Sequence, residues 1–200
     1  MARCLPMELS AALAERRRTI AATATGRVLD LGGWHDHLGE YAEPPTVLGG
    51  LDELGGLDEL GGLDELGGLD ELGGLDELGG LDELGELDGT FDTIVSLIRT
   101  PLVQDMGAFI GRLVDHLAPD GVVAFLEPTV RPGRAGDLLR LGARGQRRFG
   151  GLHLDRDIPT EFRERQLFVT DLHRFEVASV AAPFRPFVDG RARRNRHSSN

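Results

Sequence analysis

Residues 51–86 repeat one hexapeptide. Leu-Asp-Glu-Leu-Gly-Gly runs five times from Leu51, and a sixth copy, Leu81-Asp82-Glu83-Leu84-Gly85-Glu86, ends on an acid instead of a glycine. Leucines three residues apart drift around a 3.6-residue helix and leave no fixed apolar stripe. Paired glycines break the helix at every second turn, and Asp, Glu and Gly are poor strand formers. A hexapeptide β-helix without β-branched residues would be a poor one, and the acids lack the pattern that converges oxygens on calcium. The segment reads as a flexible or weakly helical expansion that is dispensable for folding. Any core must therefore come from the flanks.

The repeats also distort the charge. Of 33 acidic residues, 13 fall in 51–86 beside no basic one, so the other 164 residues carry 22 basic against 20 acidic. A body this close to neutrality lacks the electrostatic footprint of a nucleic-acid binder. No run of eighteen apolar residues offers a membrane span. The N-terminus has no apolar leader-like stretch, and the lone Cys4 can form neither an internal disulfide nor a Cys cluster. These features suggest a cytoplasmic protein with no membrane partner; its oligomeric state is not readable.

The flanks alternate helix and strand. Residues 7–24 suit a helix that Gly26 stops, and Arg27-Val28-Leu29-Asp30-Leu31 is a short apolar strand running into Gly32-Gly33. A short helix through Leu38 and Tyr41 ends at Pro44-Pro45, and Thr46–Leu48 is a second strand. Phe91–Leu97 reads as a strand introduced by Asp88-Gly89. Met106, Phe109, Ile110, Leu113, Val114 and Leu117 recur at helical spacing, and Pro119-Asp120-Gly121 is expected to close that helix. Val122–Leu126 is a continuous apolar run, as in a strand buried on both faces. Strand, helix and strand make a βαβ unit with a right-handed crossover. A basic, glycine-broken helix over about 134–148, a short helix near 159–165, strands near 168–180 and 184–192, and a frayed tail from Arg193 complete the reading.

In open α/β sheets ligands bind beyond the carboxyl ends of strands, at the switch in strand order. Three strand ends matter here: Asp30-Leu31-Gly32-Gly33, Ser96-Leu97-Ile98-Arg99 and Leu126-Glu127-Pro128. Glycines after the first strand let the backbone approach a ligand, although such a pair also makes an ordinary turn. Glu127 reads equally as a plain strand-end carboxylate or as a group at a site mouth. His35-Asp36-His37 holds metal-ligand residue types, but adjacent residues do not easily converge, and no metal is assigned. His153 and Asp155 read as loop or capping residues, and Arg131–Arg148 as a solvated basic face.

"GRVLDLGG" followed by "DGTFDTIVSLIRTPLVQDMGAFIGRLVDHLAPDGVVAFLEP" resembles the class I S-adenosylmethionine-dependent methyltransferases, in their small-molecule, quinone- and thiol-methyltransferase-like branch. The likeness covers about 26–50 and 87–192. It implies a Rossmann-like, mostly parallel α/β sheet with an antiparallel C-terminal hairpin, preceded by an N-terminal helix over 1–25 and interrupted by the 51–86 repeats. It implies S-adenosylmethionine as cofactor and a small-molecule acceptor, not nucleic acid. By the same resemblance Asp30, Gly32, Gly33, Ser96 and Leu97 hold or border the cofactor, with Asp52 or Asp82 nearby. Arg99, Glu127 and His153 face the acceptor, and no catalytic base is named. The sequence departs from the family's three-glycine motif, because Trp34 and Asp36 stand at its second and third glycines. The rival class is a degenerate, non-catalytic interaction module; a nicotinamide enzyme is weaker still, since its glycine fingerprint is incomplete.

Overall fold

A computed structural model describes residues 5–32, 34–48, 81–130, 153, 156–178 and 185–194. The N-terminal helix α1 (Leu5–Ala22) leads into β1 (Val28–Asp30) through Gly26, whose φ of +71° favours glycine. A Cβ there would lie 2.3 Å from an Asp92 carboxylate oxygen, which accepts the Arg27 N–H at 2.8 Å. After β1 come a 3-10 turn (Leu38–Glu40) and β2 (Thr46–Val47). Next are α2 (Leu81–Glu86), β3 (Phe91–Leu97), a second 3-10 turn (Thr100–Leu102), α3 (Met106–His116) and β4 (Leu117–Pro128). Helix α4 (Ile158–Glu164) and the strands β5 (Leu167–Glu176) and β6 (Pro186–Arg194) close the chain.

The six strands form one sheet in the order β2-β1-β3-β4-β6-β5. Pairs β1–β2, β1–β3 and β3–β4 are parallel, while β6 runs antiparallel to both β4 and β5. This is the α/β architecture expected from the sequence. Order reverses between β1 and β3, and in open α/β sheets such a switch is where a ligand crevice lies, at the carboxyl ends of the strands. One core packs α2, α3 and α4 on one face through Leu84, Phe109, Ile110 and Phe162. The other face carries α1, with Leu13 and Ala21 set against Val95, Leu97, Leu126 and Phe187. Helix α3 forms because its apolar residues share one face and because the Asp105 side chain caps the Ala108 N–H at 3.0 Å.

Several boundaries differ from the sequence reading. Pro119-Asp120-Gly121 does not close a helix: α3 ends at His116, and the triplet lies inside β4 where the pairing slips from Phe91–Leu117 to Thr93–Val122. Burial of Leu117 in the α3-side core draws that residue into the strand. Arg193 and Arg194 belong to β6 rather than to a frayed tail, and the Arg194 guanidinium donates to the Val114 and Leu117 carbonyls where α3 passes into β4. The sixth repeat copy is part of the body, because α2 buries Leu84 in the α3-side core. The other five copies and the basic stretch over 134–148 lie outside the described residues.

Candidate functional site

Strand β1 delivers a buried carboxylate to the crevice. Leu31 N–H donates to the Val95 carbonyl at 3.0 Å and Leu48 N–H to the Asp30 carbonyl at 2.9 Å, so β1 is tied on both sides at its last residue. Asp30 Oδ1 then accepts the Gly32 N–H at 2.9 Å, while Oδ2 is 2.7 Å from both His37 Nε2 and the Tyr41 hydroxyl. Gly32, at φ +76°, makes the turn that brings its N–H back onto the strand's own acid. Burial first, and the Asp30 charge and hydrogen bond after it, push the Tyr41 hydroxyl far above its ordinary pKa. Tyr41 is therefore a fixed donor. The Asp30 carboxylate, with three donors, orders this loop from inside.

Trp34 and Asp36, in the loop after β1, are held by α1. The Arg17 guanidinium lies 4.1 Å from the Trp34 ring centroid. It also donates to both Asp36 oxygens, Nε to Oδ1 at 2.9 Å and Nη2 to Oδ2 at 2.6 Å. Burial raises the Asp36 pKa, but the Arg17 hydrogen bond and charge, with a smaller contribution from His37, outweigh it and leave the group below the usual range. The Trp34 indole N–H is buried with no hydrogen-bond partner among the described residues.

A second buried carboxylate closes the other face. Glu127 Oε1 accepts the Ser96 hydroxyl at 2.7 Å and the Arg99 N–H at 3.1 Å; Oε2 accepts the Thr100 hydroxyl at 2.7 Å and its N–H at 3.1 Å. Burial outweighs these four bonds and lifts the Glu127 pKa to about 7. The bonds wrap the chain after β3 so tightly that Ile98, a β-branched residue, sits at φ +57°. Its N–H donates to the Leu126 carbonyl at 2.8 Å.

The carboxyl edge at this switch thus holds Asp30, Gly32, Ser96, Leu97, Arg99 and Glu127, all buried, with Leu97 on the α1 face. His153 joins this edge by donating its backbone N–H to the Pro101 carbonyl at 2.8 Å. Both acids turn inward: the Glu127 carboxylate holds a turn rather than an open mouth. Asp82 lies on α2, the helix packed beside α3; Gly33 and Asp52 fall outside the described residues. Past Glu127, a cavity of about 150 Å³ is lined by Thr129, Val130, Phe175 and Phe187 together with the charged Arg174 and Glu176. Sequence reasoning missed Arg17, Tyr41 and Thr100. Only Trp34 and Asp36 carried a signal, as departures from glycine.

No family model matches the chain, and no curated protein matches it. Among solved structures, it is similar to magnesium protoporphyrin IX methyltransferase (ChlM) from Synechocystis PCC 6803 with bound SAH. That likeness has a TM-score of 0.52 and 14% identity over 94% of this chain and 85% of that one. It is also similar to the StiE O-MT structure, with a TM-score of 0.54 and 14% identity over 96% and 77% of the two chains. The likeness is one of fold. This chain has the Rossmann-like fold of the class I methyltransferases, with the passage after β1 reduced, among the described residues, to a 3-10 turn and a two-residue strand.

Proposed function

We propose that this chain carries out S-adenosylmethionine-dependent methyl transfer to a small molecule. The observation that carries this reading is the switch in strand order between β1 and β3, with Gly32 turning at φ +76° just beyond the buried Asp30. The fold, shared with methyltransferases of which one was crystallised with SAH, supports it. So does the loop: Gly32 allows close backbone approach, and among the described residues the buried Trp34 indole N–H is a donor without a partner. When bound, the cofactor supplies a methyl already activated on sulfonium sulfur. The chain then needs no nucleophile of its own and contributes binding and alignment.

In this reading Gly32, Gly33 and Trp34 hold the cofactor, with Ser96 and Leu97 at the opposite rim. Asp52 takes the ribose role, and Asp82 or Glu83 the side of the adenine. Asp30 acts one step back, by fixing the loop. Glu127 fixes the backbone of Arg99 and Thr100, so that Arg99 and His153 border the acceptor. The near-neutral body favours a small-molecule acceptor over nucleic acid. Titration with S-adenosylmethionine by calorimetry tests the proposal. Wild type is expected to bind. Gly32→Val, which forces a β-branched residue into the left-handed turn, is expected to lose binding with an unchanged circular dichroism spectrum. No heat of binding in wild type would turn the reading to a non-catalytic interaction module.

A further inference from the structure

Three arginines follow one another on α1, and the structure uses them differently. Arg18 is exposed. Arg16 reaches the C-terminal hairpin, pairing with Asp189 and lying 3.7 Å from the Phe175 ring centroid. Arg17 is 0% exposed and reaches the loop after β1. Burying a guanidinium costs several kcal/mol unless its partners are well placed. Here the partners are the two residues that replace glycines, Trp34 beneath the cation and Asp36 across a two-armed pair. A glycine loop can follow a ligand because no side chain constrains it. A loop holding Trp34 and Asp36 needs those side chains placed elsewhere, and the only buried cation touching both comes from α1, among the described residues.

We infer that Arg17 is the positioning residue of this loop: by holding Trp34 and Asp36 together it sets the conformation in which Gly32 and the Trp34 indole N–H face a ligand, so binding at β1 depends on α1. The inference rests on the cofactor reading above for its binding arm alone. Arg17 does not touch the ligand in this scheme. It acts through Trp34 and Asp36.

Trp34 is the chain's single tryptophan, so intrinsic fluorescence reads this loop without substitution of the reporter. Arg17→Met replaces the buried cation with an apolar chain of similar length, an exchange that buried ion pairs often tolerate. Arg17→Lys keeps the charge but not the two-armed geometry. Without ligand, Arg17→Met is expected to red-shift Trp34 emission and expose it to a soluble quencher. Arg17→Lys should fall between, and Arg16→Met, which frees the hairpin instead, should leave the emission unchanged. Affinity for S-adenosylmethionine by calorimetry should fall about tenfold or more in Arg17→Met and recover partly in Arg17→Lys. Adding Asp36→Asn to Arg17→Met should weaken binding little further, because the two side chains act as one unit.

Unchanged Trp34 emission in Arg17→Met overturns the inference, as does shifted emission with wild-type affinity. Should Arg17→Met not fold, Arg17→Lys and Asp36→Asn make the same comparison at preserved volume. Wild type that binds no S-adenosylmethionine removes the cofactor reading, and the emission arm still decides whether Arg17 sets the loop.

Discussion

Two buried carboxylates close the carboxyl edge of the sheet, one on each face, and they are built from different materials. Glu127, on the side of α3, is held by two hydroxyls and two backbone N–H groups, all from Ser96 to Thr100. Asp30, on the side of α1, is held by one backbone N–H and by His37 and Tyr41 from the following loop. The Glu127 network fastens two neighbouring strand ends through hydroxyls and backbone N–H groups. The Asp30 network fastens a loop that must meet a ligand, and it is continuous, through Asp36 beside His37, with the Arg17 cation. One acid stores rigidity and backbone strain at Ile98. The other makes a loop of large residues hold one shape.

The comparison predicts its own largest effect at Glu127. Glu127→Ala leaves four buried donors without an acceptor, and chemical denaturation should show a loss of about 3–5 kcal/mol. A loss under about 1 kcal/mol would mean that the turn after β3 is held by its packing. Next comes pH. Glu127 in the folded chain has a pKa of about 7 against an ordinary 4.5, so between these values the folded state holds a proton that the unfolded state has released. Its contribution is full below about pH 4.5 and is lost as pH rises to about 7. The difference is about 3 kcal/mol at about 1.4 kcal/mol per unit, and Glu127→Gln should flatten this part of the stability profile. A profile equally steep in the variant would assign the slope to another group.

Asp30→Asn should cost less, about 2 kcal/mol, because the amide still has an oxygen to accept one donor while its NH2 opposes another. Unlike Glu127→Gln, it should also alter Trp34 emission, since it loosens the loop that Trp34 occupies. If both variants moved that emission equally, the two networks would not be separate. Tyr41→Phe is the smallest change. It removes one of three donors to Asp30 and should cost about 1 kcal/mol by thermal or denaturant unfolding. No effect on Trp34 emission or on stability would show that His37 and Gly32 suffice.

Some of this was legible in the chain alone. Phe91–Leu97 announced β3, as a strand introduced by the Asp88-Gly89 turn, and the continuous apolar run Val122–Leu126 announced the buried part of β4. The 106–113 periodicity placed α3, and a Gly-Gly after the apolar β1 marked the turn at Gly32. Such signals are local: burial imposes a period on neighbouring residues, and that period is printed in the sequence. Pro119-Asp120-Gly121 misled for the same reason, as a strong local turn signal absorbed into β4 once Leu117 was drawn into the core.

What the sequence by itself determined, then, is the set of elements, the parallel βαβ core and the strand ends at which a ligand site can form. Only the tertiary structure decided what each acid at those ends does. Glu127 meets Ser96 across 31 residues, and Arg17 meets Asp36 across 19. Neither meeting follows from spacing, because each depends on how β3 and β4 register and where α1 lies across the sheet. A carboxylate's role is set by its partners and its distance from water, and both are properties of the assembled sheet.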